Sequence, residues 1–124
     1  MKTVLVFLGA FLFVLLLGAC ETHTERPPDA QRLIDKGQTV YWQYCAECHQ
    51  ANGSGYSHLY QRLAGNPIVT LHDPTPLIVT VTYGMETMPA FRDRLSTDEI
   101  AAVLSYIRNA WGNQAPAVSP RQIH

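Results

Sequence analysis

The pentapeptide Cys45-Ala46-Glu47-Cys48-His49 restricts the possible folds of this 124-residue chain more than any other feature. It places two thiols three positions apart and an imidazole directly after the second thiol. Three kinds of site use closely spaced cysteines: a redox-active dithiol, a structural zinc site, and a haem held through two thioether bonds. The rest of the sequence decides between these alternatives.

The thiol pair lacks the context that the first two alternatives require. A thioredoxin-like dithiol needs a βαβ pattern, and none surrounds it here. A structural zinc site needs four ligands, usually from two such pairs, and the chain has one other cysteine, Cys20. C-x-x-C-H is the haem-attachment pattern: Cys45 and Cys48 reach the two vinyl groups of one porphyrin, and His49 binds the iron. The sequence therefore predicts one covalently bound haem c.

The sixth coordination position of the iron needs a second ligand. The candidates are Met85, Met88, His58 and His72. Met88 begins the sequence Met88-Pro89-Ala90-Phe91 on a predicted loop before the last helix, which can fold over the opposite haem face. Its thioether would favour ferrous iron and raise the reduction potential. Met88 is therefore the predicted ligand, with Met85 as a packing residue and both histidines at the surface.

The first 20 residues have the organisation of an export signal. Lys2 precedes an uncharged, almost wholly apolar stretch at 4–17, which is short for a membrane span. It ends in Leu17-Gly18-Ala19-Cys20, which resembles the lipobox of bacterial lipoproteins. We expect a signal peptide at 1–19, a lipid on Cys20 and a polar tether at 20–29. The alternatives are an uncleaved anchor helix, or an ordinary signal with an unrelated cysteine.

The remaining chain has the composition of one globular domain. Hydrophobic residues make up 47% of the sequence and charged residues 15%, which argues against general disorder. A formal net charge of −1 gives no basic surface for a nucleic-acid partner. We place the domain at 30–113 and a C-terminal surface tail at 114–124.

Three segments are predicted to be helical. The first runs from Ala30 to about Cys48, and the second covers Thr75–Tyr83, where β-branched residues also allow a strand. The third begins at the S-x-x-E capping box of Ser96 and Glu99 and ends at Gly112. Its apolar face consists of Ile100, Val103, Leu104, Ile107 and Trp111.

The pattern as a whole resembles class I cytochromes c from about Gln31 to Trp111. The matching residues are Gly37-x-x-x-Tyr41, Cys45–His49, Leu63-Ala64-Gly65, Gly84, Met88-Pro89 and Tyr106. The resemblance implies an all-α fold of about three to five helices around one haem. It also implies that the first and last helices cross where Gly37 meets the Val103–Tyr106 turn.

The resemblance also indicates the haem pocket, for which we expect Leu63, Tyr60, Tyr83, Phe91 and Ile100. The family usually has a proline before the leucine of the haem loop, with a carbonyl that accepts a hydrogen bond from the proximal histidine. Here Gln61-Arg62 precede Leu63, so the carbonyl that orients His49 stays open. Arg62, Arg92 and Arg94 flank the two haem loops, and we expect these exposed charges to be solvated. Contact with the haem propionates or a docking partner is the alternative.

The implied function is one-electron transfer by a membrane-tethered carrier on the periplasmic side of a bacterial cell envelope. Two segments, 63–67 and 106–113, resemble cytochrome subunits of membrane-bound dehydrogenases and cytochrome domains fused to other enzymes. The expected partners are redox proteins such as a dehydrogenase, oxidase or reductase. Two alternatives stay open: a fixed subunit of a larger dehydrogenase or oxidase, and a haem sensor in which Met88 leaves the iron.

Overall fold

A computed structural model describes residues 27–124, which form four α-helices and a short 3-10 helix. The helices are α1 Pro28–Tyr44, α2 Ala46–His49, α3 Thr75–Tyr83 and α4 Thr97–Ile107, and the 3-10 helix is Pro120–Gln122. The described residues contain no β-strand, which confirms the all-α prediction. None of the helices in this part of the chain is long and apolar enough to cross a bilayer. The predicted signal peptide and Cys20 lie outside the described residues.

The segment predicted as one helix from Ala30 to about Cys48 is divided into two helices at Cys45, the first residue of the pentapeptide. α1 ends at Tyr44, Cys45 has φ −118°, and α2 then carries the remainder of the pentapeptide as a separate turn. The Cys45 N–H still closes α1 by donating to the Tyr41 carbonyl at 2.9 Å, and the His49 N–H donates back to the Cys45 carbonyl. The break therefore reorients the motif while it stays attached to the end of α1.

α1 and α4 cross at Gly37, as the resemblance predicts. A Cβ atom at Gly37 would lie 2.5 Å from the carbonyl carbon of Ala102 and 2.8 Å from the Cβ of Tyr106. Only glycine allows this approach. The close crossing therefore explains why a glycine lies inside the helix, although it weakens an isolated helix by about 1 kcal/mol relative to alanine. The rings of Tyr41 and Tyr106 pack beside the crossing with centroids 5.4 Å apart. The crossing fixes the end of α1 from which the pentapeptide begins.

α3 is a helix despite its β-branched residues, in agreement with the prediction. Pro76 lies in its first turn, where the missing N–H costs no intrahelical bond. The Asp73 carboxylate accepts hydrogen bonds from the Thr75 hydroxyl at 2.7 Å and the Thr75 N–H at 3.0 Å. These bonds, with the hydroxyl bond the largest contribution, lower the pKa of Asp73. The early proline and the Asp73–Thr75 hydrogen bonds at the start of α3 therefore favour the helix over the strand that propensity alone would allow.

α4 begins as predicted but ends earlier than Gly112. The capping box is complete, with Ser96 and Glu99 each bonded to the other's backbone. The helix stops at Ile107, and Trp111 adopts a positive φ of 53°. The Asn113 side chain donates to the Ile107 carbonyl at 2.8 Å and so takes the place of a further helical N–H. The predicted apolar face therefore loses Trp111, which packs from a turn instead.

The C-terminal segment does not pack as the surface tail that the sequence predicts. Val118 is fully buried and Ile123 is 7% exposed, and both join the core. The Ser105 hydroxyl accepts from the Val118 N–H at 2.8 Å. Buried Arg108 donates through Nε to the Pro116 carbonyl at 2.9 Å. Ser105 and Arg108 thus hold the C-terminal segment through hydrogen bonds, and hydrophobic periodicity in the sequence does not predict such bonds.

Candidate haem-binding site

The two thiols of the pentapeptide are free and half-buried. Burial, with a smaller contribution from the neighbouring Cys48, raises the pKa of the Cys45 thiol to about 12, so it stays protonated near neutral pH. The described residues contain no group of three or more His, Cys, Asp or Glu side chains placed to hold a metal ion. This arrangement gives no support to the zinc-site alternative and leaves both sulfur atoms available for thioether bonds.

His49 is oriented by a carbonyl that the sequence left open. Its Nδ1 lies 2.8 Å from the carbonyl oxygen of Gln61. A carbonyl oxygen only accepts, so Nδ1 carries the proton and donates. The lone pair of the neutral ring then lies on Nε2, the nitrogen available to a metal. The orienting carbonyl is therefore Gln61, two residues before Leu63.

Backbone hydrogen bonds join the two segments that carry His49 and Gln61. The Gly53 carbonyl accepts from the N–H groups of Leu63 at 2.8 Å and Ala64 at 3.0 Å. The Gly55 N–H donates to the His49 carbonyl at 3.0 Å. Leu63, a predicted pocket residue, is half-buried and packs against the core. The loop from 50 to 65 therefore folds back on the pentapeptide.

Met88 and Met85 close a tight hairpin but differ in exposure. The Met88 N–H donates to the Met85 carbonyl at 2.8 Å, and the Met85 N–H donates to the Met88 carbonyl at 3.1 Å. Met88 is half-buried and packs against the core, whereas Met85 is 57% exposed. Met85 therefore lies outside the protein core, and its packing role beside the haem stays a prediction. The difference favours Met88 as the methionine that serves the site.

The Met88 loop is attached to the end of α3. Gly84 has φ 78°, and a Cβ there would lie 2.7 Å from the Met88 carbonyl oxygen, so only glycine fits. The N–H groups of Phe91 and Arg92 donate to the Val81 and Thr82 carbonyls at 3.0 and 3.2 Å. These contacts fix both ends of the segment that presents the Met88 sulfur.

The predicted pocket residues fall into two groups. Phe91 and Ile100 are 4% and 2% exposed and belong to the core. Tyr60 is 38% exposed and pairs through its backbone with Tyr56. Tyr83 is 52% exposed, and its hydroxyl donates to the His124 carbonyl at 3.1 Å. The structure therefore engages Tyr83 with the C-terminal segment, and its pocket role stays a prediction.

The loop arginines and the two remaining candidate histidines lie at the surface. Arg62 donates to the Ala64 carbonyl at 2.9 Å, and Arg92 lies over the Tyr83 ring. Arg94 stacks on the rings of Tyr44 and Phe91. His58 and His72 are exposed, in agreement with their predicted surface position. Contact of these arginines with a haem propionate or a partner stays an open alternative.

Three side chains form hydrogen bonds that hold the haem-binding segments in place, and the sequence analysis did not predict this role for them. The Tyr41 hydroxyl donates to the Gln50 carbonyl at 2.6 Å, and burial raises the pKa of this phenol. The Trp111 Nε1–H donates to the Ala51 carbonyl at 3.1 Å. Asn113 contacts the Leu63 segment. The available signal was indirect: two of the three lie in the 106–113 match to dehydrogenase cytochromes.

The donor set of the site fits a haem c. It comprises two free thiols for the porphyrin vinyl groups, an imidazole with its Nε2 lone pair unused, and a soft sulfur on a fixed loop. A profile of the family described as "Cytochrome C oxidase, cbb3-type, subunit III" matches residues 32–107. The chain belongs to this family of c-type cytochrome domains. It is a haem c electron-transfer domain of the cytochrome c fold.

Several curated relatives are similar to this cytochrome domain. The cytochrome c subunit of quinone alcohol dehydrogenase from Gluconobacter oxydans is 38% identical over 91 residues, which are 64% of this chain and 19% of the relative. The gluconate 2-dehydrogenase cytochrome c subunit of Pantoea cypripedii is 39% identical over 93 residues, 65% and 21% of the two chains. The chain therefore spans about a fifth of these dehydrogenase subunits.

A shorter relative matches over most of its length. Cytochrome c-552 of Thermus thermophilus is 35% identical over 92 residues, which are 62% of this chain and 69% of the relative. The similarity thus extends to a small cytochrome as well as to the larger subunits.

Proposed function

We propose that this cytochrome domain is a membrane-tethered carrier that transfers single electrons through one haem c with His49 and Met88 as axial ligands. Cys45 and Cys48 would form the thioether bonds. A lipid on Cys20 would hold the domain at the periplasmic face of a membrane. The chain contains a single C-x-x-C-H sequence, which supports one haem.

The observation that carries the proposal is the 2.8 Å contact between His49 Nδ1 and the Gln61 carbonyl. It fixes the ring tautomer and leaves Nε2 for the iron, on the residue that directly follows Cys48 in the sequence. Met88 is half-buried on its closed hairpin and would supply the second iron ligand.

The chemistry supplied by a bound haem is the exchange of one electron between ferrous and ferric iron. This chain's own residues set the conditions for that exchange. His49 is held in one orientation and Met88 would occupy the remaining axial position, so neither oxygen nor a substrate has an open coordination site. Buried Phe91 and Ile100 exclude water from the interior. The low polarity of that interior is one of the factors that sets the reduction potential.

Spectroscopy of the full-length protein, produced with a c-type maturation system, tests the haem. The pyridine haemochrome should show two thioether bonds per haem and one haem per chain. Cys48→Ser should shift that spectrum toward a haem with one thioether. A colourless protein, or an unshifted spectrum from the variant, would contradict covalent attachment through this pair.

Cell fractionation tests the tether independently. The wild-type protein should be in the membrane fraction and carry a lipid, whereas Cys20→Ser should keep its haem and lose the lipid. Cys48→Ser is the matched control, because it affects the haem and leaves the tether intact. Recovery of lipid-free wild-type protein would disprove the lipid anchor while leaving the haem proposal standing.

A second candidate function is a subunit of a dehydrogenase or oxidase complex. It is favoured by the relatives, whose names describe subunits of alcohol and gluconate dehydrogenases and, for Azospirillum brasilense, a cbb3-type oxidase subunit CcoP that is 33% identical over 86 residues. Co-purification of this cytochrome with a dehydrogenase after mild detergent extraction would support it. Recovery of the monomer alone supports the free carrier.

A further inference from the structure

Asn113 joins the segment after the last helix to the haem loop. Its Oδ1 accepts from the Gly65 N–H at 2.9 Å, and its Nδ2 donates to the Leu63 carbonyl at 3.1 Å and the Ile107 carbonyl at 2.8 Å. Asn113 itself is 4% exposed, so its side-chain amide is buried. One buried amide therefore ties the end of α4 to the two sides of the Leu63-Ala64-Gly65 turn.

This turn begins two residues after the carbonyl that orients His49. Gln61 is not a proline, so no ring restricts its φ angle. The Gln61 carbonyl is nevertheless 2.8 Å from His49 Nδ1. The loop must therefore gain its rigidity from other contacts.

Trp111 strengthens the same connection from the other side of the loop. Its indole lies over Gly53, where a Cβ would be 2.5 Å from the ring, and its Nε1–H donates to the Ala51 carbonyl. Gly53 in turn accepts the Leu63 N–H. The segment 111–113 thus contacts both the turn after His49 and the turn after Gln61.

We propose that Asn113 is a positioning residue for the proximal ligand: by anchoring the Leu63 turn it holds the Gln61 carbonyl against His49 Nδ1–H and thereby tunes the reduction potential. The inference rests on the proposed role of His49 as iron ligand. A carbonyl that accepts from Nδ1–H makes the imidazole a stronger donor, which stabilises ferric iron. Loosening this bond should therefore raise the reduction potential.

The test uses the full-length holoprotein and two readouts. In Asn113→Ala, the His49 Nδ1 proton should exchange with deuterated water faster by NMR of the ferrous state, and the reduction potential should shift upward. Asn109→Ala is the matched control, because that amide donates to the Ser105 and Ala115 carbonyls at the same end of α4. It should leave both readouts unchanged.

A compensating variant separates positioning from general stability. Gln61→Pro in the Asn113→Ala background restricts the φ angle of the residue that carries the carbonyl and so supplies rigidity there. It should restore slow exchange and the wild-type potential. Should Asn113→Ala not accumulate, Asn113→Ser, which is too short to span Leu63 and Gly65, carries the same comparison.

The outcomes distinguish this inference from the proposed function. A loss of thermal stability in Asn113→Ala with unchanged proton exchange and potential would show a merely structural residue and overturn the inference. A wild-type protein without haem, or with a haem not bound by His49, would instead refute the proposed function before any Asn113 variant is compared.

Discussion

At the scale of single residues, the two methionines of one hairpin give a direct test of the sixth ligand. Met88→Ala should abolish the weak far-red charge-transfer band of the oxidised protein and lower the reduction potential, because sulfur ligation favours ferrous iron. The control is Met85→Ala, which changes a 57% exposed side chain and should preserve the band. Absorbance and potentiometric titration measure both effects. If the band survives in Met88→Ala but is lost in Met85→Ala, the sixth ligand is Met85 and the prediction is wrong.

The sequence predicted the residues that would bind the haem better than it predicted the residues that hold them in place. The Cys45–His49 pattern carries its meaning in local spacing, and the structure gives His49 the tautomer that iron binding requires. Asn113 carries no such local signal. Its role depends on hydrogen bonds to Leu63 and Gly65, which are about 50 positions away along the chain. Contacts of that range are set by the tertiary fold and cannot be read from neighbouring residues.

At the scale of the helix, the Ser96–Glu99 capping box predicts a defined pH dependence. Hydrogen bonds from the Ser96 N–H at 2.9 Å and then from its hydroxyl lower the pKa of Glu99 below its ordinary value of 4.5. A carboxylate with a lowered pKa stabilises the fold above its unfolded-state pKa and loses that contribution as the pH falls through its folded value. Glu99→Gln keeps the cap but removes the titration.

The measurement is thermal unfolding of wild type and Glu99→Gln between neutral pH and pH values below 4.5. Wild type should be the more stable protein near neutrality, and this advantage should vanish at acidic pH. Ser96→Ala removes the acceptor for the Glu99 N–H and should cost about 1 kcal/mol of unfolding free energy near neutral pH. An advantage of wild type over Glu99→Gln that persists unchanged into acid would refute this account of the cap.

The crossing of α1 and α4 makes a second prediction at this scale. Gly37→Ala improves helix propensity but places a methyl group against Ala102 and Tyr106, and overpacking of this kind should lower the unfolding free energy by about 3 kcal/mol. Thr39→Ala, on an exposed position of the same helix, should change it by less than about 0.5 kcal/mol. Denaturant titration compares the two. A neutral Gly37→Ala would mean that the helices do not approach this closely.

Element types followed from the sequence more reliably than element ends. An early proline identifies α3 and a capping box identifies α4, because both signals act within one turn of the chain. The end of α4 was predicted five residues too late, since periodicity continues to Trp111 while the Asn113 amide terminates the helix at Ile107. A side chain that competes for a helix carbonyl leaves no trace in hydrophobic periodicity.

At the scale of the whole molecule, the C-terminal segment decides how much of the chain forms the cooperative unit. Hydrophobic periodicity ends at Trp111, so the sequence predicted a tail, yet Val118 is fully buried and its N–H donates to the Ser105 hydroxyl oxygen at 2.8 Å. The Ser105 hydroxyl itself donates to the Ala101 carbonyl at 2.7 Å, so the segment is bound through a polar group that is removed from water. Such a segment should unfold together with the helices.

Val118→Ala tests this directly. It should lower the unfolding free energy by about 2 kcal/mol, because a buried side chain is truncated in a place that the backbone bonds hold fixed. Gln114→Ala, at an exposed position of the same segment, should change it by less than about 0.5 kcal/mol. Denaturation followed by helical circular dichroism and by haem absorbance should give coincident transitions in both proteins. Equal unfolding free energies for the two variants would show that the C-terminal segment does not contribute to the stability of the domain.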